Sequence, residues 1–410
     1  MTLRVAVTGL GVIAPLGNSL EELFSSLRAG RSGIRALPAP CSETPGSSVG
    51  ATVETPTCAR IPETRLRMLD RVSYLALVAA VQAVEDSGIE FERENRERCG
   101  VAVGTGMGGA ATTDDGYHTL YAERSDRIKP FTVIAAMTNA AAAWIGLEYA
   151  LTGANLTYST ACSSSAVAVG EAAAKIRAGE ADVMIAGGAE APLTRGVLRA
   201  WDAMRTLAHP DKSDPGTSCR PFSMTRSGLV LGEGAAFLVL ESWEHARRRG
   251  ARIHAALSGY GLATDVAHIT RPTVLGQTRA MRAALQSAGL SPDDIDYINA
   301  HGTATLQNDA VETSAIKEVF GERAYRIPIS STKSMHGHLL GAAGALELLI
   351  CIGSLQRGWV PPTMHLDRPD PACDLDYVAG AARAVIPLRI ALSNSFAFGG
   401  TNAVLAVEKV

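Results

Sequence analysis

The sequence predicts an α/β protein made of two similar halves, and three observations carry that expectation. Of the 410 residues, 47% are hydrophobic and 40 are glycine, with only 5% aromatic. That composition suits closely packed layers of helix and strand. Short β-branched runs alternate with alanine-rich helical runs along the chain. A pattern also restarts near Arg252: strand, helix, Ser-Ala-Gly289, strand, then His301-Gly-Thr echo an earlier helix, Asp-Ser-Gly88, strand and Gly-Thr. The expected halves are residues 1–250 and 251–410, with the charged stretch Glu244–Gly250 as the seam.

The first strand is expected over Arg4–Thr8, inside a strand-like opening that begins at Met1. Gly9-Leu-Gly11 follows, but Pro15 and Gly17 stand where a nucleotide-binding helix should start, and the full GxGxxG is absent. Ser19 caps a helix over Leu20–Ala29, with Glu22 completing a capping box. Residues 37–62, rich in Pro, Ser and Thr, read as a surface loop. A long buried helix is expected over Arg65–Ser87, stopped by Gly88. Cys99–Val103 is a strand, 111–130 a polar loop or lid, and Asn139–Leu147 a helix of small residues. Strands follow at Ala181–Ala186 and Ala235–Glu241, separated by an ordered loop from Arg220. The second half supplies strands at Ile253–Gly261, Ile295–Ala300, Ile327–Ser331 and Ala403–Val407, and helices at Gln277–Ala288 and Leu340–Leu349.

The net charge of −3 gives no reason to expect a nucleic-acid or membrane-surface partner. With no signal peptide and no apolar run of membrane length, a soluble cytoplasmic protein is expected. The seven cysteines, Cys41 among them, are scattered without a CxxC pair, and no metal-ligand spacing is present.

Chemistry centres on Leu156-Thr-Tyr-Ser-Thr-Ala-Cys162-Ser-Ser-Ser, which reads as strand, tight turn and helix, the helix running over Ala166–Ala178. A thiol at a helix start faces free N–H groups that favour its thiolate. Four later stretches are candidates to work with it. His301 ends a strand in Asn-Ala-His-Gly-Thr, as a ligand-facing or a structural group. Lys333-Ser-Met-His336-Gly-His338 leads into a glycine-rich helix, and spacing does not choose between the two histidines. Asp309 and Glu312 share a helical face, either as a charged helix start or as a carboxylate partner for Lys333. Asn394-Ser-Phe-Ala-Phe-Gly-Gly-Thr-Asn402 is either a hairpin or a turn that aims N–H groups at an oxyanion. A nucleophilic thiol with two neutral imidazoles has a coherent use in acyl transfer.

Taken together in this order, Thr160-Ala-Cys162-Ser-Ser, Asn299-Ala-His301-Gly-Thr-Ala-Thr305, Lys333–Gly344 and Asn394–Asn402 resemble the β-ketoacyl-[acyl-carrier-protein] synthases. The likeness is to the elongating ketoacyl synthase I and II types and the type II polyketide ketosynthases, from Val7 to Asn402. It implies a thiolase-like fold, in which duplicated halves form a five-layer α-β-α-β-α core, usually dimeric. It also implies that Cys162 accepts the acyl group and that His301 and His338 assist decarboxylation of malonyl-[acyl-carrier protein]. Lys333, positioned by Glu312, would tune them. The N–H groups of Cys162 and Phe398 would form an oxyanion hole, with Phe398 gating the second substrate. Thr303, Thr305 and Thr270 match pantetheine contacts; Phe396 is placed with the substrate site, and Met107 and Trp201 match the acyl channel. Trp201, bulkier than the usual Phe, puts pocket length in question. Arg65, Arg67, Arg127, Lys129 and Arg205 would meet an acidic carrier protein. No metal or organic cofactor is implied, phosphopantetheine arriving on that carrier. His336, where the family often has Thr, is a departure with no assigned consequence.

Two relatives of different function are disfavoured. Chain-length factors lack the nucleophilic cysteine, and thiolases carry a second cysteine where this chain has Phe396-Ala-Phe-Gly-Gly. Leu306-Gln-Asn-Asp309, where housekeeping forms have Pro-x-Gly-Asp, and Met335-His336 resemble nodulation-type and polyene-type ketosynthases. The expected role is a specialised fatty-acid, polyene or polyketide elongase, as a homodimer or paired with a chain-length-factor-like subunit. Housekeeping fatty-acid elongation is the alternative.

Overall fold

The computed structural model describes residues 4–38 and 48–410. The opening residues 1–3, Cys41 and the middle of the 37–62 loop lie outside the described residues. One ten-stranded sheet runs through the protein. Its strands are β1 (Val5–Ile13), β2 (Cys99–Gly104), β3 (Asn155–Tyr158), β4 (Val183–Glu190), β5 (Gly234–Ser242), β6 (Ala255–Thr264), β7 (Tyr297–Asn299), β8 (Ile329–Ser330), β9 (Ile390–Phe396) and β10 (Thr401–Glu408). The order is β8-β7-β9-β10-β6-β1-β5-β4-β2-β3.

The same pairing occurs twice. β3, β2 and β4 are parallel, and β5 and β1 then join antiparallel. Likewise β8, β7 and β9 are parallel, with β10 and β6 antiparallel. The halves meet where Val5, Ala6 and Val7 pair with Leu257, Ala256 and Ala255.

Helices make the other three layers. The outer ones are α2 (Arg71–Ser87) with α3 (Ala140–Glu148) on the first half, and α5 (Val274–Ala288) with α6 (Asn308–Phe320) on the second. Between the half-sheets, α4 (Ser164–Arg177) and α7 (Ala343–Arg357) pack against each other. Alternation along a strand serves both faces: Val101 and Val103 of β2 join the outer core, and Ala102 the central one.

Gly9 and Gly11 sit inside β1, which is longer than expected, and they are there for packing. A Cβ at either position would lie 2.0 Å from a carbonyl oxygen of α2, that of Ala83 or Ala79. Gly259 and Gly261 of β6 repeat the device: a Cβ there would lie 2.5 and 2.1 Å from the Ala284 and Ala280 oxygens of α5. The duplication is thus written in two Gly-x-Gly pairs at which a helix backbone rests on a strand.

Several elements differ from expectation. The helix expected from Arg65 breaks: Glu63–Leu66 is a single turn, and α2 starts at Arg71 because Asp70 caps it, accepting from Val72 N at 2.9 Å. The other oxygen of Asp70 accepts from Thr112 N at 2.7 Å, satisfying the first turn of an Ala110–Tyr117 helix where a polar loop was expected. Within the 37–62 loop, Val49–Ala51 pairs with Ile34–Ala36. The helix α1 (Leu20–Arg28) forms with Ser19 Oγ accepting from Glu22 N, but in place of the expected capping box the Glu22 carboxylate accepts from Asn18 N at 2.8 Å. The apolar stretch Leu340–Arg357 has membrane-spanning length and composition, but 89% of it is buried inside the protein as the central core helix.

Candidate active site

Cys162 sits in a 3₁₀ turn, Ala161–Ser163, between β3 and α4. Hydroxyls hold this turn: Ser163 Oγ donates to Thr160 O at 3.0 Å, Ser164 Oγ to Ala161 O at 2.6 Å, and Thr160 N to Ser164 Oγ at 2.9 Å. Ala161 has φ +52°, a left-handed conformation that costs an L-residue energy and sharpens the bend. The thiol is buried, and burial pushes its pKa up to about 11, against the downward pull of Lys333 and of the Phe398 and Cys162 N–H groups. The expectation of a thiolate favoured at the helix start is therefore corrected: the resting group is the thiol, because desolvation outweighs the nearby donors.

His301 follows β7. Its N–H and that of Gly302 each donate to one oxygen of Glu312 at 2.8 Å, and Asn394 Nδ2 adds a bond at 3.1 Å. His338 donates its backbone N–H to Val230 O at 2.7 Å. Its Nδ1 accepts from Leu340 N at 3.2 Å, so the neutral ring carries its hydrogen on Nε2, a buried atom without a partner among the described residues. The two rings meet edge-on with centroids 5.4 Å apart. Ligand atoms of Cys162, His301 and His338 all lie within 4.8 Å of one another. Burial, then Lys333, holds both imidazoles well below the usual histidine range, so they are neutral at pH 7. Sulfur and two nitrogens are also a donor set for a transition metal, but the Lys333 ammonium acts on all three groups and opposes a dication.

Lys333 is wholly buried and forms its ion pair with Glu347 of α7, not with Glu312. Both Glu312 oxygens are already taken by backbone N–H groups, so Glu312 holds the His301 turn and not the lysine. Burial raises the Glu347 carboxyl, Lys333 pulling the other way.

The cluster lies in a cavity of 340 Å³ that also reaches Thr270, Thr303, Thr305, Phe396, Phe398, Trp201 and Arg205. Phe398 stacks on Trp201 with ring centroids 5.8 Å apart. Met107 does not line this cavity; it is 41% exposed. Arg67, Arg127 and Lys129 line a separate hollow of 590 Å³, away from Arg205. Arg65 is paired with Glu148 and lies over Trp144, and Lys129 is paired with Asp115.

Three site residues carry weak signals or none in the sequence. Glu347 is a lone carboxylate in an apolar helix. Glu190, ending β4, accepts from Gly106 N, Met107 N, Gly341 N and Thr105 Oγ1 at 2.6, 3.0, 2.8 and 3.1 Å. Arg226 donates to the Thr305 and Leu306 carbonyls at 3.1 and 3.2 Å and pairs with Asp370 at 2.5 Å, bracing the cavity wall. Nothing local in the sequence marks it.

Comparison with known proteins agrees with this geometry. The profile of the β-ketoacyl synthase N-terminal domain matches residues 2–246, and that of the C-terminal domain residues 254–367. The chain belongs to the β-ketoacyl synthase family. The synthase is 46% identical to nodulation protein E of Rhizobium meliloti (strain 1021) over 410 residues, covering 100% of both chains. It is 40% identical to 3-oxoacyl-[acyl-carrier-protein] synthase 2 of Coxiella burnetii, covering 99% of each. The solved ishigamide ketosynthase/chain length factor superposes with a TM-score of 0.92 at 35% identity, covering 100% of both chains. The synthase is thus a condensing acyltransferase of thiolase-like fold.

Proposed function

We propose that the synthase extends a specialised acyl chain by ping-pong decarboxylative condensation, with Cys162 as loading point. The observation that carries this is the Cys162–His301–His338 cluster at the inner end of a cavity walled by Thr303, Thr305 and Phe398. The Cys162 sulfur attacks an acyl thioester on the carrier protein. Its proton has a neutral ring nitrogen within reach, the carrier leaves as free thiol, and a thioester remains on Cys162. Malonyl-carrier protein then enters. Loss of carbon dioxide leaves an enolate whose oxygen accepts from His301 and from His338 Nε2–H. The enolate carbon attacks the acyl carbonyl, whose oxygen faces the Cys162 and Phe398 N–H groups. The carbon–carbon bond forms, the carbon–sulfur bond breaks, and the departing thiolate takes up a proton from solvent, which restores the thiol. Lys333 tunes the cluster, and Glu312 positions His301.

Acyl carrier protein is the partner that brings phosphopantetheine, and no other cofactor is invoked. It would meet Arg67, Arg127, Lys129 and Arg205, with Arg65 and Lys129 already paired in the free chain. We place the work in the cytoplasm. We take residues 1–250 and 251–410 as the halves, the thiol from one and the imidazoles from the other. A second subunit, a copy or a chain-length-factor-like partner, would cover the open edge of β3 and the exposed Tyr121, Val133, Ile134 and Leu147, and would close Met107 into the acyl channel.

The specialised reading rests on Leu306 and Gln307, which form cavity wall where housekeeping forms carry Pro-x-Gly. Intact-mass spectrometry of the acyl group trapped on Cys162 tests it: saturated housekeeping chains alone would refute it. Cys162→Ala should keep the fold and take up no acyl label, and labelling of that variant would refute the mechanism.

A further inference from the structure

The chemistry above leaves His336 idle, yet it is wholly buried and both its ring nitrogens have partners. Nδ1 lies 2.8 Å from the Gly337 carbonyl oxygen and Nε2 lies 2.9 Å from Thr332 Oγ1. A carbonyl only accepts, so Nδ1 carries the hydrogen and Nε2 accepts from the threonine hydroxyl. Burial, then Lys333, holds the imidazole down at about 3, so the ring stays neutral. Thr332 Oγ1 in turn accepts from Asn299 Nδ2 at a long 3.5 Å, two residues before His301.

The Gly337 carbonyl and the His338 N–H belong to one peptide group. His336 holds its oxygen, and Val230 O holds its N–H at 2.7 Å. That plane is therefore fixed at both ends, in a turn where Gly337 has φ +68°. The His338 ring hangs directly from it. A threonine in place of His336 is too short to bridge Thr332 and the Gly337 carbonyl.

We propose that His336 is a positioning residue for His338: it pins the Gly337–His338 peptide plane and so aims His338 Nε2–H into the cavity. Thr332 serves the same end by fixing which nitrogen of His336 carries the hydrogen. This inference rests on the role given to His338 above. A misplacement of about 1 Å in such a donor can cost on the order of 100-fold in rate.

The test uses hexanoyl- and malonyl-loaded acyl carrier protein as probes. Loading is followed by the intact mass of Cys162-acylated enzyme, and decarboxylation by release of labelled carbon dioxide. In His336→Leu, loading should stay within about twofold, because the thiol does not depend on His338, while decarboxylation falls roughly tenfold or more. Thr332→Val should show the same split, more weakly. His336→Asn, whose amide can still donate to the Gly337 carbonyl, should recover most of the decarboxylation. Loading and decarboxylation that fall in step, no loss in either, or an Asn variant as impaired as Leu would overturn the inference. If His336→Leu does not fold, unchanged decarboxylation in Thr332→Val does so by itself. A wild-type enzyme that loads no acyl group would instead overturn the roles proposed for the cluster.

Discussion

Replacing Lys333 with methionine keeps the reach of the side chain and removes one ammonium from a closed site. Two quantities should then move. Glu347 loses its partner, and breaking a buried pair costs about 3–5 kcal/mol. The second quantity is thiol reactivity. With the thiol at about 11, roughly one molecule in a thousand is thiolate at pH 8. Lys333 is the largest influence lowering that value. A further rise of one unit would slow iodoacetamide alkylation of Cys162 about tenfold. Alkylation rate against pH, read by intact mass, measures this, and thermal melting measures the first effect. The variant Lys333→Met/Glu347→Leu separates them. Stability should return, because apolar residues replace a buried ion pair at little cost or with gain, while the thiol stays slow. His301 and His338 also lose a cation that holds them neutral, so the acid limb of the condensation rate should move to higher pH. Wild-type alkylation rates in both variants would refute this reasoning.

Four further outcomes follow from other parts of the molecule. The Trp201–Phe398 stack is worth about 0.5–1.5 kcal/mol, so Trp201→Ala should change the rate of acyl loading by roughly two- to tenfold, with Trp201→Phe close to wild type. His245 is raised, first by its bond to Glu241 and also by Glu94. Its contribution is full below the ordinary 6.5 and lost as pH climbs through the raised folded value, so melting temperature should decline on the alkaline side and His245→Gln should flatten that decline. Glu241 behaves oppositely. Burial works against its charge, but bonds from Arg249, His245 and Thr8 prevail and hold it at about 2, so its contribution fades as pH falls below about 4.5. Val133→Asp, on a side chain 72% exposed, should yield monomers by light scattering if a second subunit sits there.

The parts of the site that could be read from sequence are those coded by short contiguous signals. Thr160-Ala-Cys162-Ser-Ser shows strand, turn and helix at once, and its serines prove to be the hydroxyls that hold the turn. The end of a strand marks His301, whereas spacing leaves His336 and His338 open and only the family resemblance singles out His338. Sequence points Lys333 to Glu312 because Glu312 belongs to a charged helix start, the usual place for a carboxylate, while the structure pairs Lys333 with Glu347. Glu347 hides in Ala-Leu-Glu-Leu-Leu, where helical periodicity reads as core. Arg226 acts on chain segments that become neighbours only when the layers close, so no local pattern announces it. The Gly9-Leu-Gly11 pair was visible, but only its echo at Gly259 and Gly261, each pair lying under a helix backbone, reveals its purpose.

The strand order sets a timetable for the site. β10, residues 401–408, lies between β9 and β6, so the second half-sheet stays split until that segment is inserted. The Phe398 N–H that faces the Cys162 sulfur comes from the turn immediately before it. A chain synthesised only as far as α7 would hold the thiol and both imidazoles without this donor or a continuous sheet to register them.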